Sequence, residues 1–216
     1  MADLVEQMKM DMVLLSYSPK TIISYTYHIG LFLKTLQKPS EAVTEDDIRS
    51  YLYTMKTVKK ASQSNLSQAF SAIKFLYRST LDMPLKLSSV KSVRRGRKLP
   101  VVLSGEEIKR LIHASDNIKH KTILMTIYGA GLRLSEATHL KVSDIDSKRN
   151  QIRVEQGKGK KDRYTILSNV LLEQLRLYWR QDRPGIWLFP NRSEDRPISE
   201  GTVQKVFHRA KKKPAS

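Results

Sequence analysis

Apolar residues recur at helical spacing along most of this chain and alternate along one stretch only. Leu4, Val5, Met8, Met12 and Leu15 predict an amphipathic first helix. Ser18 and Pro19 mark the next start, a hydroxyl N-cap followed by proline at the first helical position. Behind them Ile22, Ile23, Tyr25, Ile29, Phe32, Leu33 and Leu36 form the buried stripe of a second helix, which Pro39 ends. Thr44 with Asp47 approximates a capping box and opens a short helix through Ile48, Tyr51, Leu52 and Met55. Ser62 to Tyr77 predicts a fourth helix, with Leu66, Ala69, Phe70, Ile73, Leu76 and Tyr77 on its apolar side. These four make a compact all-helical domain ending near Leu81.

A second pattern begins at Ser104 and Glu107, a Ser-x-x-Glu capping box ahead of Ile108, Leu111 and Ile112. Ile118 to Tyr128 is apolar on most sides and predicts a central helix. Gly129 and Gly131 break it, and Leu132–Leu140 resumes as helix. Val142–Ile145, Gln151–Glu155 and Arg163–Leu167 alternate, which predicts a three-stranded antiparallel sheet. Val170–Trp179 returns to helix, a loop opens on a buried Trp187–Leu188–Phe189, and Ser199 caps a last helix through Val203, Val206 and Phe207. The expected fold is mainly α with one small sheet.

Charge changes the picture. The 216 residues carry 39 Lys+Arg against 21 Asp+Glu, a net +18. Residues 1–83 hold 10 basic and 8 acidic side chains, so nearly all the excess lies beyond them. Such asymmetry points to a polyanionic partner, nucleic acid before membrane. Between the two patterns, Lys91, Arg94, Arg95, Arg97 and Lys98 crowd eight positions of an aperiodic run. It reads either as a phosphate-contacting linker or as a solvated tether. The absence of cysteine excludes disulfides, thiol catalysis and thiolate zinc. No apolar run reaches the ~18 residues needed to span a bilayer. The N-terminus is acidic where a signal peptide would be basic. A cytoplasmic, nucleoid-associated protein is expected.

Two places could carry chemistry. Arg133 follows the glycine break and opens a helix, where a guanidinium can grip a phosphate through two parallel hydrogen bonds. Glu136 lies on the same helical face and could orient it; the bland alternative is an i, i+3 surface ion pair of little worth. Lys158 sits between Gly157 and Gly159 at a hairpin tip, with Lys160, Lys161 and Arg163 behind it. A flexible ammonium there could bind phosphate or donate a proton, or simply decorate an exposed basic turn. The run is not a nucleotide-binding loop, because G-x-x-x-x-G-K-[ST] is absent.

Together, YGAGLRLSEATHLKVSDID and IRVEQGKGKKDRYTILS resemble the first half of a tyrosine recombinase catalytic domain, the family of phage, Xer and integron integrases. The resemblance makes Arg133 the first catalytic arginine, Lys158 the catalytic lysine and Glu136 a supporting residue. SPKTIISYTYHIGLFL is similar to the family's N-terminal helical (SAM-like) DNA-clamping domain, and LPVVLSGEEIKRLI to the entry of its catalytic domain. The implied layout is a clamping domain over residues 1–83, a basic linker over 84–102, and the N-terminal part of the catalytic domain over 103–216.

The implied activity is site-specific recombination by phosphodiester transesterification, without metal or nucleotide cofactor. A tyrosine attacks the phosphate, arginines stabilise the charge that develops, and the lysine protonates the leaving oxygen. The family continues with an H-x-L-R-H box, a G-H box and the nucleophilic tyrosine, whereas KKKPAS ends this chain where the first box is expected. Tyr128, Tyr164 and Tyr178 read as core or sheet residues. The expectation is a C-terminally truncated recombinase that binds DNA without cleaving it. The alternative is a non-catalytic protein that occupies recombination sites or joins a full-length recombinase. Double-stranded DNA is the expected partner, with self-association on it and no membrane contact. Lys20, Thr21, Lys74 and Arg78 would face the duplex, Arg94, Arg95, Arg97 and Lys98 would cross its backbone, and Lys158, Lys160, Lys161 and Arg163 would lie near the cleaved phosphate.

Overall fold

The computed structural model describes residues 2–83, 99, 101–155 and 162–212. The chain divides into two compact units, Met1–Leu99 and Pro100–Ser216.

In the first unit, four α-helices form: α1 (Ala2–Leu14), α2 (Pro19–Leu36), α3 (Glu45–Thr57) and α4 (Gln63–Phe75). Local signals start three of them. The Ser18 and Ser62 hydroxyls accept backbone N–H bonds at the starts of α2 and α4. Thr44 and Asp47 exchange the two bonds of a full capping box at α3. Lys38 adds an ion pair to Asp47 at 2.8 Å. That bond, with those from Thr44, holds the Asp47 carboxyl down at about 2.

Met8, Met12, Ile29, Phe32, Ile48, Ile73, Leu76 and Tyr77 make the buried centre. Phe32 meets Tyr51 edge-on at 5.1 Å, and the Tyr77 hydroxyl reaches the Ser40 carbonyl at 2.9 Å. After Phe75 the backbone widens into a π-turn, Leu76–Thr80, which sets Leu76 and Tyr77 into this core.

Two expected core positions are exposed. Ile23 (69%) falls off the stripe of Ile22, Tyr25, Ile29 and Phe32 and shares the outer face of α2 with Tyr27. Leu15 (58%) lies past the end of α1, because Tyr17 N–H turns back to the Met12 carbonyl with Ser16 left-handed (φ 58°).

The second unit has a core of its own, in which Ile123, Ile152, Leu171, Leu175, Tyr178, Phe189 and Val203 are buried. Its elements are α5 (Gly105–His113), α6 (Ile118–Gly129), α7 (Leu134–Thr138), β1 (Ile145–Asp146), β2 (Gln151–Val154), β3 (Arg163–Ile166), α8 (Asn169–Asp182) and α9 (Glu200–Lys212). The predicted Ser104–Glu107 capping box forms, and the Ser199 hydroxyl accepts the Thr202 N–H at 3.1 Å. Helix α6 is central as expected. Thr122 is buried on it and accepts a hydrogen bond from Gln174 of α8 at 2.9 Å.

The sheet is antiparallel in the order β1-β2-β3, with Ile152 opposite Thr165 and Arg153 opposite Tyr164. Its first strand is shorter than the alternation predicts. Val142–Asp144 is a 3-10 turn, because the buried Asp144 carboxylate accepts the Lys141 N–H at 2.9 Å and curls the backbone there. In the following loop Leu188 and Phe189 are buried, whereas Trp187 is half-buried against His139.

Candidate functional site

Helix α6 closes in a glycine turn. Leu132 N–H bonds back to the Ile127 carbonyl and Gly131 N–H to that of Tyr128, with Gly131 left-handed at φ 61°. The chain then leaves extended at Arg133 (φ −69°, ψ 154°), which opens α7 as its N-cap; the helix is shorter than the Leu132–Leu140 pattern predicts.

Glu136, on the first turn of α7, is the hub of the site. Its Oε2 accepts the Arg133 backbone N–H at 2.8 Å, and its Oε1 accepts Arg133 Nη1 at 2.7 Å. From the other side Arg163, the first residue of β3, docks as a fork: Nη1 to Oε1 at 2.9 Å and Nη2 to Oε2 at 3.0 Å. One carboxylate thus serves two guanidiniums. The Glu136 side chain is 6% exposed, against 55% for Arg133 and 37% for Arg163. The Arg163 bond foremost, then those from Arg133, hold its carboxyl down at about 2 against the opposing effect of burial. The same bond raises the Arg163 guanidinium further.

Strand β3 makes a second contact, with the glycine turn itself. Thr165 Oγ1 donates to the Ala130 carbonyl at 2.8 Å. Alternate residues of a strand share a face, so Arg163 and Thr165 act from the same side.

The end of β2 is fixed as well. Glu155, just past β2, accepts Lys141 Nζ at 2.7 Å and pairs with Arg153 at 2.7 Å. Arg153 also pairs with the buried Asp144 at 3.0 Å. These bonds lower the Glu155 carboxyl, Lys141 foremost, and raise the Lys141 ammonium.

Arg133 and Glu136 are therefore brought together, and Arg163 joins them through Glu136 rather than standing free. Lys158, Lys160 and Lys161, and Arg94, Arg95, Arg97 and Lys98, lie outside the described residues. In the first unit Lys20, Lys74 and Arg78 are exposed, and Thr21 shares a 2.8 Å hydroxyl contact with Ser18. Tyr178 is a core residue stacked on Phe189 at 5.6 Å, and Tyr164 lies on the open face of β3. Tyr128 is neither core nor sheet: it is 59% exposed, because it falls on the last turn of α6. The Arg163–Glu136 fork escaped the sequence reading. Its partners are 27 residues apart, and no local spacing signals the pairing.

Residues 101–215 match the phage integrase family, and residues 4–87 match the N-terminal SAM-like domain of phage integrases. The chain belongs to the phage integrase family. This integrase chain is 38% identical over 211 residues to a protein of Sinorhizobium fredii named as an integrase/recombinase (y4qK), covering 97% of this chain and 68% of that relative. A second such protein of the same organism (y4eF) is 43% identical over 159 residues, 73% of this chain and 63% of the relative. The integrase chain thus spans about two-thirds of the length of these curated relatives. Its fold also matches lambda integrase, solved as a tetramer on a Holliday junction, with a TM-score of 0.78 at 17% identity over 98% of this chain and 65% of that one.

Proposed function

We propose that this integrase chain acts on double-stranded DNA in site-specific strand exchange, holding the phosphate to be transferred between Arg133 and Lys158. Glu136 serves the site by fixing Arg133. The observation that carries this reading is the way Glu136 grips Arg133: one backbone and one guanidinium bond fix the arginine, yet more than half of its side chain stays exposed. A guanidinium held in this way needs little reorganisation to meet an oxyanion, which is the electrostatic preorganisation that phosphoryl transfer requires.

Lys20, Thr21, Lys74 and Arg78 contact the duplex, and Arg94, Arg95, Arg97 and Lys98 neutralise its backbone. Lys160 and Lys161 lie with Lys158 near the phosphate. Net charge of +18 supports such a partner. The dimers and tetramers in which lambda integrase was solved support self-association on DNA. The protein works in the cytoplasm, where the chromosome lies; among the described residues no helix is long and apolar enough to cross a membrane.

The test is duplex binding against salt for the wild-type chain, Arg133→Ala and Lys158→Ala. Weaker binding in both variants, with a shallower salt dependence, supports the reading. Binding indifferent to both residues overturns it.

A further inference from the structure

We infer that Arg163 is a positioning residue: by occupying Glu136 as a two-bond fork, it leaves one edge of Arg133 unbonded and open toward the phosphate. The inference rests on the reading of Arg133 as a phosphate ligand, and it moves Arg163 out of the set of direct DNA contacts.

Hydrogen-bond capacity leads to it first. A carboxylate offers a guanidinium its best partner in the two-bond fork. Arg163 takes that geometry, with Nη1 on Oε1 and Nη2 on Oε2. Arg133 is left a single side-chain bond, Nη1 to Oε1, and its Nε and Nη2 have no hydrogen-bond partner among the described residues. Those two groups form the free edge with which a guanidinium grips a phosphate. Without Arg163, Glu136 could draw Arg133 into the fork itself and consume that edge.

Charge balance leads the same way. Two guanidiniums around one carboxylate leave a net positive charge, carried by the more exposed of the two, Arg133 at 55%. Removing Arg163 leaves Arg133 and Glu136 as a neutral pair. A neutral pair attracts a phosphate far less than a lone cation does.

Placement supplies the rest. Arg163 lies five residues beyond Lys158, and Thr165 on the same strand face binds the carbonyl of Ala130, three residues before Arg133. Strand β3 therefore grips the segment around Arg133 at two points, through Glu136 and Ala130.

The experiment is a double-mutant cycle on the full chain with a mixed-sequence duplex, combined with ¹⁵N NMR of the arginine side chains. Arg133→Ala is compared in the wild-type and Arg163→Ala backgrounds. Positioning predicts non-additivity: the loss on Arg133→Ala shrinks at least about threefold once Arg163 is gone. It also predicts that Arg163→Ala shifts the Arg133 Nε–Hε resonance in the free protein. Arg163→Lys keeps the charge without the fork, so it leaves that resonance displaced.

Additive losses, each lowering the salt slope by about one unit, would make Arg163 a phosphate ligand and overturn the inference. An unmoved Arg133 resonance would also overturn it. If Arg133→Ala alone leaves binding unchanged, the phosphate reading fails, and the resonance still decides whether Arg163 positions Arg133. If Arg163→Ala does not fold, Arg163→Lys and Glu136→Gln carry the same comparison.

Discussion

Thr165 donates its hydroxyl to the carbonyl of Ala130, 2.8 Å away, and so ties strand β3 to the turn that presents Arg133. Ala130 is almost fully buried. Thr165→Val keeps the shape and removes the donor, so a buried carbonyl loses its partner. The expected loss is about 1–2 kcal/mol of stability in urea unfolding. An unchanged unfolding midpoint would mean that water or another donor replaces the hydroxyl.

Gly131 stands at φ 61°, and a Cβ built there meets nothing within 4 Å. The penalty for Gly131→Ala is therefore conformational, about 1–2 kcal/mol. Gly131→Asn should cost less, because asparagine tolerates the left-handed region. Equal stability of the two variants would count against a left-handed turn.

The Glu136 carboxyl is held at about 2, below the usual 4.5. A folded value below the unfolded one stabilises the protein above pH 4.5, and that stabilisation disappears as pH falls toward 2. Glu136→Gln removes this contribution. The stability gap between wild type and Glu136→Gln should be widest near neutrality and close across that window. A gap independent of pH would show that the charge of Glu136 is not what holds the site.

His28 is buried in the first unit, its Nδ1 without a partner among the described residues. Burial lowers its pKa below 6.5, and a hydrogen bond with Gln68 opposes this more weakly. The neutral imidazole is the form that packs. Stability of the first unit should hold above pH 6.5 and fall as pH drops through the depressed value. NMR titration of the ring checks it directly; a His28 titrating above 6.5 would refute the assignment.

Lys74 and Arg78 are both exposed, four residues apart where α4 passes into its π-turn. If both touch phosphates, replacing either with alanine weakens binding to all duplex sequences alike and lowers the salt slope by about one unit. A loss confined to one sequence would indicate a contact to a base instead.

Much of this molecule was legible in the residues, because its signals are local. The Thr44–Asp47 and Ser104–Glu107 boxes each lie within four residues, and both form as the spacing predicts. The Arg133–Glu136 pair was legible for the same reason. What local pattern missed was decided by partners distant in sequence or by small displacements around a helix. Ile23 is as apolar as Ile22, but one step around α2 puts it in water. Val142–Asp144 alternates like a strand, yet Asp144 finds the Lys141 N–H and Arg153 and the backbone turns. Glu136 looked like half of a surface ion pair until the fold delivered Arg163 from the far side of the hairpin.

The pinning of both hairpin arms, Glu155 by Lys141 and Arg153 and Arg163 by Glu136, has a consequence for how such a site can diversify. Once the ends of a loop are anchored, doubling its length adds only about 0.6 kcal/mol of closure entropy. The stretch between Glu155 and Arg163 can then gain, lose or exchange residues without disturbing the bonds around Arg133. Variation confined to that stretch, Lys158 apart, leaves the bonds from Glu136 to Arg133 and Arg163 in place.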